Sequence, residues 1–174
     1  QDHIDETEYP RLSFRDAAGQ YRDTLAADGL VMAVSVPEPE KMKETAWKNA
    51  AKLLASASEA GFTPLLLTAS DPASFSSLIA SGKYTQAESM TLLTSVYYSD
   101  YKTLISLNRS NGGAVYFNDG NIISKWAARS LPSNRKLGKL IRKDRVEVML
   151  DADGKGKLLF EAFMLYTFTL MLIL

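Results

Sequence analysis

A strand–helix–strand unit in the first half of the chain constrains the fold more than any other feature. Residues 30–36, LVMAVSV, form an unbroken apolar run that is typical of a strand buried on both faces. Residues 40–60 repeat apolar side chains every three or four positions, which predicts an amphipathic helix ended by Gly61. Residues 62–68, FTPLLLT, predict a second buried strand. Because a helix of this length suits a right-handed crossover, the two strands are expected to be parallel.

The remaining segments predict short elements separated by turn signals. Asp71-Pro72 is a good helix start, because Asp caps the helix and Pro fits its first position. A later helix is expected to be capped by Ser99 or Asp100. The pattern predicts short strands at residues 12–14 and 90–97, helices at 72–80 and 101–107, and a partly helical basic stretch from residue 133.

A β-hairpin is the strongest local prediction. Residues 114–117 and 122–126 are rich in β-branched and aromatic side chains, and the Asn-Asp-Gly-Asn turn of residues 118–121 joins them. A late hairpin added to a strand–helix–strand unit describes an α/β fold, a thioredoxin-like sandwich with a central mixed sheet. Residues 30–36 and 65–68 are expected in the interior of that sheet, and the start of the hairpin is expected near Pro37.

Composition excludes several classes of chemistry. The chain has no cysteine, so this segment has no disulfide, thiolate metal site or dithiol redox centre. Its one histidine, His3, lies in a polar N-terminal tail, which argues against a histidine-based triad or a multi-histidine metal site. Twenty basic and twenty acidic residues give no net charge and no general attraction for nucleic acid. We therefore expect no cofactor and no enzyme activity of this segment's own.

The C-terminal region divides into a basic part and an apolar part. Residues 135–157 hold eight basic and four acidic side chains. Residues 158–174, LLFEAFMLYTFTLMLIL, are apolar except for one Glu and two Thr. Seventeen helical residues span roughly 26 Å, the lower limit for a bilayer core. We predict a transmembrane helix there, with a buried core or oligomer helix as the alternative. The predicted domains are a polar tail (1–10), a thioredoxin-like domain (11–134), a basic juxtamembrane segment (135–157) and the transmembrane helix (158–174).

The basic run at residues 135–145 has three interpretations. It forms a solvated amphipathic helix, a juxtamembrane segment held by anionic lipid, or, least favoured, a nucleic-acid patch. By the positive-inside rule, these charges would put the neighbouring domain in the cytoplasm, although large domains translocate largely regardless of charge. Membrane lipid is thus an expected partner, and nucleic acid is not.

Several short motifs occur in a fixed order in the second half of the chain. They are Asp100, Thr103-Leu104, Arg109-Ser110-Asn111, Asn118-Asp119-Gly120, Lys125-Trp126 and Leu131-Pro132. Together they resemble the extramembrane thioredoxin-like domain of DoxX-type inner-membrane proteins of Bacteroidetes, and the resemblance covers roughly residues 9–132. It implies a periplasmic domain that follows several transmembrane helices and precedes a last one. The membrane-embedded part and the cysteine motif of that family are absent from this chain.

Two positions depart from the pattern that the resemblance implies. Where redox thioredoxins carry a cysteine pair, this chain has Val36-Pro37-Glu38-Pro39, and no side chain there can exchange electrons. The family places a proline after the Arg-Ser-Asn run, at the position of the thioredoxin cis-proline. Here the residue is Gly112, so the cis bond is expected to be lost, since it costs about 2.5–4 kcal/mol before a non-proline residue.

The resemblance and these departures together suggest a redox-inactive thioredoxin-like binding or assembly module of a DoxX-type inner-membrane protein. The alternative is an accessory domain of a membrane thiol or quinone oxidoreductase whose cysteines lie outside this chain. The candidate binding surface for a protein partner comprises Val36, Pro37, Arg109, Asn111 and Gly112. The expected contributions are a helix N-terminus near Pro37, a carboxylate-binding guanidinium at Arg109, and uncovered backbone at Gly112-Gly113 that an extended peptide could pair with. A vestigial site, in which Arg109 only braces its loop, is the alternative.

Overall fold

The order of strands in the sheet defines the architecture. A computed structural model describes residues 12–142. Its strands are β1 (Leu30–Val36), β2 (Thr63–Thr68), β3 (Val96–Tyr98), β4 (Gly113–Asn118) and β5 (Asn121–Trp126). They form one sheet in the order β3-β2-β1-β4-β5. The β1–β2 and β2–β3 pairs are parallel, whereas β4 pairs antiparallel with both β1 and β5. β4 thus runs opposite to the other described strands, and the mixed sheet is confirmed.

Residues 12–142 also contain five α-helices. They are α1 (Glu44–Glu59), α2 (Pro72–Ser81), α3 (Gln86–Thr94), α4 (Tyr101–Leu107) and α5 (Asn134–Arg142). Short 3₁₀ turns occupy Asp23–Ala26, Pro39–Lys41 and Ala128–Ser130. The parallel β1–α1–β2 unit followed by the β4–β5 hairpin and a final helix is a thioredoxin-like arrangement, as predicted.

The two faces of β1 belong to two separate cores. Met32, Val34 and Val36 point to a large core that also contains side chains of α1, α2, α3 and α5. Val31 and Ala33 point to a smaller core with α4 and the segment around Phe14. All five of these β1 side chains are fully buried. Burial on both faces explains why the strand is apolar without alternation, and it confirms the predicted interior position of β1.

Aspartate side chains cap the N-termini of α2 and α4. Asp71 Oδ1 accepts hydrogen bonds from the amides of Ala73 and Ser74 at the start of α2. Asp100 Oδ1 accepts one from the Thr103 amide at the start of α4. Ser99, the alternative cap, instead donates its hydroxyl to the Ser13 carbonyl over 2.6 Å. Both helix starts therefore follow the capping logic of the sequence.

The predicted strand at residues 90–97 is largely wrong. Residues 90–94 belong to α3, and only Val96–Tyr98 form a strand. A capping box explains the helix, since Thr85 Oγ1 accepts from the Glu88 amide and the Glu88 carboxylate accepts from the Thr85 amide. The predicted strand at residues 12–14 is also wrong, because only Arg15 makes isolated bridges, to Tyr21 and Tyr98.

The hairpin is confirmed down to its turn. Asp119 (φ 45°) and Gly120 (φ 78°) form the two-residue connection, and both have the positive φ that a type I′ turn requires. The Asp119 carboxylate also accepts a hydrogen bond from the Gly29 amide over 2.8 Å. This contact joins the turn to the residue that precedes β1.

The described residues end before the predicted membrane segment. The tail 1–10, most of the basic segment 135–157 and the whole predicted helix 158–174 lie outside residues 12–142. In the described range, no helix combines the length and apolar character needed to cross a bilayer. The transmembrane helix therefore stays a prediction.

Candidate functional site

The antiparallel pairing of β1 and β4 brings the predicted site residues together. Val36 and Pro37 lie at the end of β1, and Arg109, Asn111 and Gly112 lie in the loop before β4. The register pairs Ser35 with Gly113, so the end of one strand lies beside the start of the other. The predicted proximity of the hairpin start to Pro37 is thereby confirmed.

Asn111 connects the two halves of the site. Its Nδ2 donates to the Glu38 carbonyl over 2.7 Å, and its Oδ1 accepts from the Glu38 amide over 3.1 Å. One side chain thus satisfies both backbone groups of a residue 73 positions away in sequence. The arrangement fixes the segment after β1 against the loop before β4.

The backbone amide of Gly112 is hydrogen-bonded within the domain and is not available to a partner. Its amide donates to the Ser35 carbonyl over 2.8 Å, and the Gly113 amide donates to the Ser110 carbonyl over 2.7 Å. Both glycines are buried. The expectation that their backbone groups are uncovered for pairing with an extended peptide is wrong for these amides, because the chain itself uses them.

The conformation of Gly112 explains why glycine occupies this position. Its φ is +81°, and a Cβ there would lie 3.1 Å from Met42 Cε and 3.6 Å from Ala128 Cβ. A larger side chain would have to adopt a left-handed conformation and displace Met42. Within residues 12–142 every peptide bond is trans, including the one before Gly112.

Two polar side chains that were not predicted as part of the binding surface, Asn108 and Ser110, hold the same loop. Asn108 Nδ2 donates to the carbonyls of Ala114 (3.2 Å) and Trp126 (3.0 Å), and its Oδ1 accepts from the Ser110 amide (3.0 Å). Ser110 Oγ accepts from the Ala128 amide over 2.9 Å. The available signal was the run of Asn and Ser at a helix end, since these side chains commonly bond to nearby backbone.

Arg109 is the exposed residue of this loop. It lines a shallow, open cleft together with Ser106, Leu107 and Lys125. Arg109 and Lys125 are both exposed, and no carboxylate of the described residues forms an ion pair with either. The cleft therefore combines two cationic side chains with a firmly held backbone, an arrangement suited to an anionic group.

Val36 and Pro37 do not contribute side chains to that surface. Both are buried, and Val36 has no exposed area. Arg109 lines the cleft, whereas the half-buried Asn111 does not and instead binds the backbone of Glu38.

The expected helix N-terminus near Pro37 is wrong. A 3₁₀ turn, Pro39–Lys41, follows instead, and α1 begins only at Glu44 without a side-chain cap. Lys41 Nζ lies 2.6 Å from Glu38 Oε1, and this hydrogen bond raises the pKa of Lys41. Met42 and Lys43 are extended and separate the 3₁₀ turn from α1. In residues 12–142, no group of three or more His, Cys, Asp or Glu side chains is arranged to hold a metal ion.

Comparisons with known proteins add little to this geometry. No protein-family model matches the chain, and a search of curated proteins finds no match. A solved structure, that of yeast Sco1, is similar over 76% of this chain and 92% of that chain, with 11% identity and a TM-score of 0.47. A match this remote says nothing about function. The resemblance to DoxX-type proteins stays a prediction.

Proposed function

We propose that this chain is a redox-inactive thioredoxin-like module that binds a partner protein in the membrane assembly of a DoxX-type inner-membrane protein. Its binding surface is the cleft lined by Arg109 and Lys125, and the partner supplies an acidic segment. The observation that carries the proposal is the loop of residues 108–112, whose Asn108, Ser110 and Asn111 side chains all bond to backbone while Arg109 is left exposed.

The hydrogen bonds of this loop favour binding over a vestigial role. If Arg109 only braced its loop, its guanidinium would contact neighbouring carbonyls or carboxylates. The bracing contacts come from Asn108, Ser110 and Asn111 instead. A side chain on a preorganised backbone loses less entropy when it binds, which favours recognition at this point.

The chemistry of the site argues for binding rather than electron transfer. Residues 36–39, where the resemblance places the cysteine pair of redox thioredoxins, contain two buried prolines, and the sequence contains no cysteine. Any thiol chemistry of the assembly would use cysteines outside residues 1–174. The membrane part of the proposal rests on the apolar residues 158–174 and on the family resemblance.

Site-specific photo-crosslinking tests the proposal. The full chain is expressed in cells with benzoylphenylalanine at Ser106, which is exposed and lines the cleft, and separately at Ser58, which is exposed on α1. We expect one light-dependent adduct from position 106, found in the membrane fraction, and no adduct of that size from position 58. Equal adducts from both positions, or none from position 106, would contradict the proposal.

The captured partner separates the proposal from its rival. In an accessory domain of a thiol or quinone oxidoreductase, the partner would carry a cysteine pair, and deleting this chain would change the oxidation state of that pair. For an assembly module, the thiols of the partner stay unchanged while its yield in the membrane falls. Thiol trapping by alkylation in the presence and absence of this chain measures the difference.

A further inference from the structure

Helix α5 presents two chemically opposite faces. Leu137 and Leu140 are buried in the large core, so they fix which side of the helix faces the domain. Arg135, Lys139 and Arg142 follow the spacing i, i+4, i+7 and therefore share the face opposite these leucines. All three are exposed. Three cations thus lie in a row along the outer surface of the helix.

Helix stability explains only part of this cationic row. Lys139 and Arg142 lie in the last turn, where the helix dipole favours a positive charge. Arg135 lies in the first turn, where the dipole opposes a positive charge, and it is repelled by Lys139 at i, i+4. None of the ion pairs in residues 12–142 involves an α5 side chain. In addition, the sequence has no acidic residue between positions 120 and 142. Within residues 12–142, no carboxylate therefore neutralises the charges of this row.

Neighbouring residues extend the same surface. Lys136 Nζ lies 5.2 Å from the centre of the Trp126 ring, which places a fourth cation at the edge of the sheet. Arg129 is exposed in the 3₁₀ turn that precedes α5. Ile141 is 41% exposed beside Arg142. Residues 128–142 thus hold five exposed basic side chains and no acidic one, a local charge that attracts an anionic membrane surface.

We propose that the outer face of α5, formed by Arg135, Lys139 and Arg142, binds the headgroups of anionic phospholipids and holds the domain against the bilayer. The inference rests on the membrane attachment proposed above. Fifteen residues, 143–157, separate α5 from the predicted membrane helix and reach at most about 50 Å when extended, so α5 can contact the bilayer surface. Near an anionic surface each basic side chain is attracted, and salt weakens this attraction.

The absence of cysteine from the sequence permits a clean test with single-cysteine variants of the full chain. Asn134→Cys puts a thiol at the start of α5, and Asn49→Cys puts a matched thiol on α1; both asparagines are exposed. Each variant is reconstituted into vesicles of phosphatidylcholine alone or of an equimolar mixture with phosphatidylglycerol. The rate of reaction with an uncharged maleimide is measured at low and high salt.

We expect the Asn134→Cys thiol to react about tenfold more slowly in the anionic vesicles, and high salt to restore its rate. Asn49→Cys should react alike in both. Adding Arg135→Gln, Lys139→Gln and Arg142→Gln to Asn134→Cys should abolish the lipid dependence. If Asn134→Cys chains float with the vesicles but react with maleimide at the same rate in neutral and anionic vesicles, the lipid-binding inference is overturned and the membrane attachment is not. Chains that fail to float would overturn the membrane attachment, and the inference with it.

Discussion

Replacing Asn111 by Ala tests whether the hydrogen bonds to Glu38 hold the site together. The substitution removes the bonds of 2.7 and 3.1 Å to the Glu38 carbonyl and amide. Each contributes about 0.5–1.5 kcal/mol net, so the free energy of unfolding should fall by about 1–3 kcal/mol. Urea unfolding of the full chain in mild detergent, followed by tryptophan fluorescence, measures this loss, and the dependence on urea should keep its slope.

Asn111→Asp is a more specific test because it only replaces the side-chain NH2 group by an oxygen. The carboxylate can still accept from the Glu38 amide, but it cannot donate to the Glu38 carbonyl and repels it. We expect Asn111→Asp to be no more stable than Asn111→Ala at neutral pH. Asn49→Ala, on the exposed side of α1, is the control and should change stability by less than about 0.5 kcal/mol. If Asn111→Ala unfolds at the same urea concentration as this control, the reasoning is refuted.

Three further predictions concern single positions. Gly112→Val should destabilise the domain by about 1–2 kcal/mol or more, because φ is +81° and Met42 lies close; stability equal to wild type in the same urea assay would contradict the strain argument. Leu92→Ala should cost about 2–5 kcal/mol, whereas Leu93→Ala, 43% exposed, should cost far less; similar losses would argue against the orientation of α3. Hydrogen bonds from Thr103 to the Asp100 carboxylate hold its pKa below the ordinary value, so the capping contribution is complete above about pH 4 and is lost as the pH falls through the lowered pKa. Thermal unfolding between neutral and acid pH should thus depend less on pH in Asp100→Asn than in wild type, and parallel curves would count against this cap.

The parts of the fold that sequence predicted well are those with strong local signals. The unbroken apolar run of β1, the Asp71 cap and the Asp119-Gly120 turn each specify their own conformation. The helix α3 was not predicted because its apolar residues do not mark one buried face: Leu92 is buried, whereas Met90 and Leu93 are exposed. The conformation of the segment before β1 depends on tertiary contacts. Arg15 makes an isolated bridge to Tyr98, and residues 12–14 form no strand.

The sequence predicted where the site residues lie but not the hydrogen bonds that hold them. Sequence order places residues after β1 and before β4 at one end of the sheet, which explains why Arg109 and Asn111 were found. The hydrogen bonds of Asn111 to a residue 73 positions away depend on three-dimensional proximity, and a single sequence carries no record of that. For the same reason Lys125, which lines the cleft with Arg109, was not recognised as a site residue.

Charge reversal at the cleft tests the central claim, recognition of an acidic partner segment, most directly. The photoreactive residue is kept at Ser106 and combined with Arg109→Glu and Lys125→Glu; Lys52→Glu and Lys83→Glu, both exposed elsewhere, make the same change in net charge. The account predicts that the yield of the adduct falls about tenfold with the cleft variant, because two attractions become repulsions, and stays unchanged with the control. An undiminished adduct from the cleft variant would contradict it.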